Sequence, residues 1–258
     1  MRARNRFSEE PVRLAPSGSD DYSLRMIQLA LDLPRRTALG RSDFMVSGSN
    51  IAAVEWIDRW PDWPSAVIVL HGPPGCGKTH LAHLWRERAS ALMIAGETLT
   101  EATLPQLLDE LPRQVAIDDA DRASEHALLH LYNSCIEHQG SLLITTYRPL
   151  GSWWVGLGDL RSRLRAVPVV EIGAPDDALL GAVLIKHFSD RQLRVAPDLI
   201  VYLLARIDRS FAAAENISAQ LDGAALSNRG AVTIPLARKV LADPSSQPWS
   251  PRRDSAVT

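Results

Sequence analysis

Short, wholly apolar runs recur along the chain, each separated from the next by a longer stretch in which apolar residues return every three or four positions. The runs are Val67–Leu70, Ala91–Ile94, Val115–Ile117, Leu142–Thr145 and Val167–Ile172. Brief runs with no polar alternation suit strands buried on both faces, and the segments between them have helix length. Their alternation predicts an α/β fold, a parallel sheet with helices on both sides. After Gly173-Ala174-Pro175 the strand-like runs stop. Amphipathic patterns at Asp176–Arg191, Ala196–Ile207, Arg209–Leu226 and Pro235–Leu241 then predict a small all-helical domain. Residues 1–23 and 243–258 mix charge, Pro, Ser and Gly without apolar periodicity, and disorder is expected at both ends. The expected division is an N-terminal extension at 1–23, a peptide and linker at 24–36, an α/β domain at 37–173, a helical domain at 174–242 and a tail from 243.

Composition adds bounds rather than chemistry. The chain has 258 residues, 46% of them hydrophobic and 22% charged, an ordinary globular balance with ample material for a core. Its formal net charge of −2 supplies no overall attraction to nucleic acid, so direct DNA binding would need a local basic patch. Cys76 and Cys135 lie far apart and outside metal-ligand spacing, which reads as reduced thiols. No apolar run reaches the ~18 residues of a membrane span, and the first thirty residues lack a signal-peptide core. A cytoplasmic protein without membrane partners is expected.

The clearest chemistry is Gly72-Pro73-Pro74-Gly75-Cys76-Gly77-Lys78-Thr79, a complete G-x-x-x-x-G-K-[ST] loop between a strand-like and a helix-like run. Glycines let backbone N–H groups converge on phosphate, Lys78 reaches the β- and γ-phosphates, and the Thr79 hydroxyl meets Mg²⁺. About forty residues on, Gln114–Asp119 is an apolar strand ending in two carboxylates. Asp118 is expected on the metal and Asp119 on the attacking water. Leu142–Thr146 is a further strand ending in hydroxyls, which a parallel sheet would bring to the same edge as the loop; a Thr-rich strand end without a role is an equal reading. Phe44–Asn50 forms a hydrophobic approach to a tight turn and helix cap, with Trp56 and Trp60 following at helical spacing as core residues.

In this order the motifs of residues 44–242 resemble the AAA+ branch of phosphate-loop ATPases, and within it the nucleotide-binding core of the replication initiator DnaA. Phe44–Asn50 is similar to the adenine-side box, the loop is followed by His80-Leu81, and Thr145-Thr146-Tyr147-Arg148-Pro149 is similar to the sensor 1 strand end. The resemblance implies a five-stranded parallel AAA+ core with a helical lid, binding ADP or ATP with Mg²⁺. Gly72 to Thr79, His80, Val46, Thr146 and Arg209 would contact nucleotide, and Thr79 and Asp118 would hold the metal. Asp159–Leu164 is similar to the box carrying the arginine finger, which makes Arg163 the residue offered to a neighbour's nucleotide; a solvated basic face made by Arg161, Arg163 and Arg165 is the plain alternative. Ala212 stands where the family's lid presents a sensor 2 arginine. Arg209, three residues earlier, shares that helix face and is the substitute, unless it caps or pairs locally.

Ahead of the core, Gln28-Leu29-Ala30-Leu31-Asp32-Leu33 resembles the peptide with which replication proteins dock on the sliding clamp of DNA polymerase III, its β subunit. Gln28 would bond at the rim while Leu31 and Leu33 fill pockets, with Leu29 also counted in the clamp-binding set; packing on its own domain is the alternative. A clamp peptide before an initiator-like core that ends without the helix-turn-helix domain resembles the Hda (HdaA) regulators, which join clamp and initiator and promote hydrolysis of the initiator's ATP. The expected partners are DnaA and the clamp, with DNA reached only through the clamp, replisome association in the cytoplasm and weak ATPase activity of its own. Self-association is compatible with this reading. The rival expectations are a self-sufficient ATPase of helicase-loader or clamp-loader type and an initiator-like scaffold without a catalytic role. A compact initiator paralogue acting on origin DNA is weaker still.

Overall fold

The computed structural model describes residues 45–242 apart from 110, 111, 150, 152, 154 and 229. The expected terminal segments, the 28–33 peptide and Phe44 lie outside the described residues. Five parallel strands form one sheet: β1 (Val67–His71), β2 (Leu92–Ala95), β3 (Gln114–Asp118), β4 (Ser141–Thr146) and β5 (Val169–Glu171), in spatial order β2-β3-β4-β1-β5. The central register pairs Val67 with Leu142 and Leu70 with Thr145. The strand order reverses beside β1, so the loop after β1 opens at the switch point of the sheet, where parallel α/β folds bind ligands.

Period-two geometry divides the apolar runs between two cores. Val67, Val69, Val115, Ile117, Leu142 and Ile144 point to one face. Ile68, Leu70, Ala116, Leu143 and Val170 point to the other. The first face is covered by α3 (Leu104–Asp109), α4 (Glu125–Glu137) and α5 (Gly158–Ala166). On α4 the buried residues Ala127, Leu128, Leu131, Tyr132 and Cys135 form one helical stripe. The second face is covered by α1 (Ile51–Arg59) and α2 (Lys78–Ala89). Trp85 of α2 is fully buried there, stacked on Trp63 at 5.2 Å between centroids and met edge-on by Trp60 at 6.1 Å. Each fully buried large side chain of this kind contributes about 1.5–3 kcal/mol.

After β5 the chain leaves the sheet and forms four lid helices: α6 (Asp177–Asp190), α7 (Pro197–Leu204), α8 (Phe211–Asn228) and α9 (Ile234–Ala242). Asp176 caps α6 by accepting from the Leu179 N–H at 2.7 Å. Pro197 opens α7, where its missing N–H costs nothing. Leu180, Leu184, Phe188, Leu199, Leu203, Ile217 and Leu221 make a third core, separate from the two on the sheet.

Candidate nucleotide-binding site

The loop after β1 is built by its glycines and closed by its lysine. Gly75 and Gly77 take left-handed backbone angles, φ +73° and +101°, which a side chain would strain. A Cβ on Gly72 would lie 2.3 Å from the Ile172 carbonyl oxygen, so the start of the loop is pressed against the end of β5. Lys78, the first residue of α2, is 6% exposed, and its Nζ donates to the carbonyls of Gly72 at 2.9 Å and Pro73 at 3.1 Å. The ammonium is thereby held inside the loop it serves. Pro73, Pro74, Thr79 and His80 are exposed, and Cys76 is buried beneath them. Burial pushes the Cys76 thiol up, against the pull of Lys78.

At the adjacent strand ends the carboxylates and hydroxyls converge. Thr79 Oγ1 donates to Asp118 Oδ2 at 2.7 Å, and Thr145 Oγ1 donates to Asp118 Oδ1 at 2.5 Å. Thr145 also accepts from the Asp119 N–H at 2.9 Å. Asp119 itself is left-handed at φ +51°, a turn that aims it off the strand. Burial, then the neighbouring Asp118, raise its pKa above the usual carboxylate range. Among the described residues no three His, Cys, Asp or Glu side chains gather as a metal cluster. A hydroxyl and a carboxylate within one hydrogen bond of each other nonetheless fit Mg²⁺, which takes hard oxygen ligands and shares its sphere with phosphate and water. Thr79 and Asp118 are the residues that would hold it.

Thr146, the expected sensor residue, turns its hydroxyl into its own turn, accepting from the Arg148 N–H at 3.1 Å. Thr145 is the strand-end residue that meets Asp118. Val46 is buried in the second core, below a turn in which the Ser47 N–H donates to Asn50 Oδ1 at 2.9 Å. That turn is joined to the end of β5 by the Gly173 N–H donating to the Ser49 carbonyl at 2.9 Å.

The lid reaches the loop by residues the sequence did not single out. The Phe211 N–H donates to the Gly75 carbonyl at 3.0 Å. A Cβ on Gly75 would lie 2.5 Å from the Ser210 Cβ, and one on Gly77 would lie 3.0 Å from the Phe211 ring. Arg209 pairs with Asp177 at 3.0 Å rather than with the loop, and Ala212 is exposed. The local-pairing alternative for Arg209 is the one this geometry displays.

Arg163 lies on α5, with its guanidinium 5.6 Å over the Tyr132 ring and its Nε donating to Asp159 Oδ1 at 3.1 Å. Its side chain is 38% exposed. Arg161 is spent on the Val155 carbonyl, and Arg165 is exposed. No helix among the described residues is long and apolar enough to cross a membrane.

The described lid matches the Hda lid domain family over residues 177–241. The initiator DnaA of Clavibacter sepedonicus is 23% identical over 267 residues, covering 93% of this chain and 56% of its own length. The chain thus spans just over half of the curated relatives it matches. Domain III of the Thermotoga maritima initiator superposes with a TM-score of 0.65 at 17% identity, over 77% of this chain and 93% of that one. The AMPPCP-bound initiator of Aquifex aeolicus gives a TM-score of 0.56 at 18% identity, over 69% and 62%. These structural likenesses show a shared AAA+ fold. With the lid family match at residues 177–241 and the initiator relatives, the chain is similar to DnaA-related AAA+ replication proteins and carries a lid similar to that of Hda.

Proposed function

We propose that this chain binds an adenine nucleotide at Gly72–Thr79 and offers Arg163 in trans to ATP held by the initiator DnaA, promoting its hydrolysis and restraining replication initiation. Docking on the sliding clamp through Gln28, Leu29, Leu31 and Leu33 would bring it to DNA already being copied. The observation that carries this reading is the state of Arg163. It is partly exposed and steadied by Asp159 and Tyr132, neither of which belongs to the polar network at the phosphate loop. A guanidinium set in this way is prepared to meet charge supplied by another molecule. The match to the Hda lid and the initiator relatives supports DnaA as that molecule.

Within the chain's own site, the loop N–H groups and Lys78 would cradle phosphate, and the Ser47–Asn50 turn would border the base. Mg²⁺, when bound at Thr79 and Asp118, would neutralise phosphate charge. Asp119, with its pKa raised by burial, is suited to accept a proton from water or to orient it. The test is ATP hydrolysis by ATP-loaded DnaA in the presence of clamp loaded on DNA. Arg163→Ala should return the rate to the unstimulated level, and full stimulation by this variant would refute the reading. For the clamp half, Gln28→Ala with Leu31→Ala should abolish capture by clamp; full capture would reassign the peptide to packing.

A second reading is favoured by one observation. The set of Thr79, Asp118, Asp119 and Thr145 is complete enough for the chain to turn over its own nucleotide. Turnover lost with Asp119→Asn and indifferent to clamp would favour a self-sufficient ATPase.

A further inference from the structure

Helix α5 carries Arg163 but does not cap its own start. Its N-cap position is Leu157, which has no side chain able to bond the free N–H groups of the first turn. Asp159, the acidic residue of that turn, is committed to Arg163 four residues on. One of the four orphan N–H groups, that of the N-cap residue Leu157, finds its acceptor on another helix. Glu125, the first residue of α4, accepts from the Gly156 N–H through Oε1 at 3.0 Å and from the Leu157 N–H through Oε2 at 2.8 Å. The two oxygens of one carboxylate therefore clasp the N-cap N–H and the N–H just before it, beside the positive end of α5, the favourable location for an anion.

The clasp lies where the chain is otherwise loosely specified. Gly156 and Gly158 flank Leu157, and glycine restrains backbone angles least. Of the nine residues of α5 only Leu160 and Leu164 are buried. Arg161 bonds the Val155 carbonyl, which lies in the same approach segment and so does not fasten α5 to the rest of the domain. Among the described residues, the links between α5 and α4 include this apolar pair, the Arg163–Tyr132 contact one turn further along and the Glu125 carboxylate at its start. Glu125 also belongs to the segment that leaves the metal-side carboxylates: β3 ends at Asp118, Asp119 turns, the 3₁₀ turn Ala120–Arg122 follows, and α4 begins at Glu125.

We infer that Glu125 is a positioning residue for the arginine finger: its carboxylate caps α5 from α4 and sets the direction in which Arg163 is presented. The inference rests on the finger reading given above. A bond of this sort to a charged acceptor corresponds to an effect on the order of 10–100-fold when removed.

The test uses the full chain with clamp on DNA and ATP-loaded initiator. Glu125→Ala should lower the stimulated hydrolysis rate at saturation by on the order of 10–100-fold, while the concentration giving half-stimulation and the chain's own affinity for ADP stay at the wild-type level. Glu125→Gln, which keeps one acceptor oxygen and loses the charge, should fall between. Hydrogen exchange supplies a readout that needs no initiator: the amides of Gly156 and Leu157 should exchange faster in Glu125→Ala by a similar factor, with the amides of β1 unchanged. Unchanged exchange at these two amides would overturn the inference. So would a loss of stimulation matched by an equal rise in the half-stimulating concentration, which would mean a damaged docking surface rather than a misdirected finger. Wild-type stimulation by Arg163→Ala is the separate sign that the finger reading has failed; loss in Arg163→Ala with none in Glu125→Ala is the sign that only the present inference has.

Discussion

Lys78 and Arg163 are cations set in opposite ways. Lys78 is 6% exposed and its ammonium bonds two carbonyls of its own loop. Arg163 is 38% exposed at its side chain and rests between a carboxylate and an aromatic face. Enclosed donors are preorganised for a ligand that comes to them, with little side-chain freedom left to lose on binding. A guanidinium held at its stem, with donors free for a second partner, suits a charge that belongs to another chain. Under the proposed function, Lys78 meets phosphate held by this chain, and Arg163 is offered to phosphate held by another.

The comparison breaks most visibly at Arg163. Arg163→Ala should lower stimulated hydrolysis by the initiator by on the order of 10³-fold or more, while fluorescent-nucleotide titration of the chain itself stays unchanged. Lys78→Ala should show the converse first effect, weakening nucleotide binding by on the order of 100-fold in the same titration. If each variant damaged both properties equally, the two ends would not be separable.

Gly75→Ala sharpens the receiving side. The φ of +73° alone costs a β-carbon about 1–2 kcal/mol, and the Ser210 Cβ stands 2.5 Å from where the new atom would go. The expected result is a lower melting temperature together with weaker nucleotide binding, and an unaltered thermal transition would exclude the close approach of lid and loop. The smallest effect should come from Asp119→Asn. A carboxyl whose folded pKa is raised above its ordinary 3.8 contributes stability in full at acid pH and loses it as pH rises through the folded pKa. In the wild type that contribution falls away as pH rises. The neutral amide has no such loss and tolerates the left-handed backbone, so the variant should melt higher at pH 7, with the gain shrinking toward pH 4. A gain independent of pH would point to something other than charge burial.

Where a feature was contiguous, the sequence disclosed it. The phosphate loop is eight consecutive residues, and strands buried on both faces leave uninterrupted apolar runs. The carboxylate end of β3 and the hydroxyl end of β4 lie where those runs put them, whereas the Val167–Ile172 run contracts to Val169–Glu171, after Pro168, which has no N–H to donate. Helix α8 begins at Phe211 rather than Arg209, because the Ser210 hydroxyl accepts from the Ala213 N–H at 3.1 Å in the manner of a cap. That Ser-to-helix signal was present in the sequence. The contacts spanning long intervals were not legible. Nothing periodic marks Glu125 as the acceptor for residues 156 and 157, or Phe211 as the neighbour of Gly75 and Gly77, since such pairings exist only once the core has brought the elements together. Thr145 and Thr146 were a matched pair of hydroxyls until the pleat of β4 turned one toward Asp118 and the following turn occupied the other.

Beside the Ser210 and Phe211 side chains, the joint between lid and phosphate loop has a main-chain link, the Phe211 N–H on the Gly75 carbonyl. Such a link has no side chain to lose. Drift at position 212 can erase or restore an arginine without unfastening it, and the one replacement at 211 that deletes the donor itself is proline. That one bond between lid and loop is therefore kept through almost every replacement at 211.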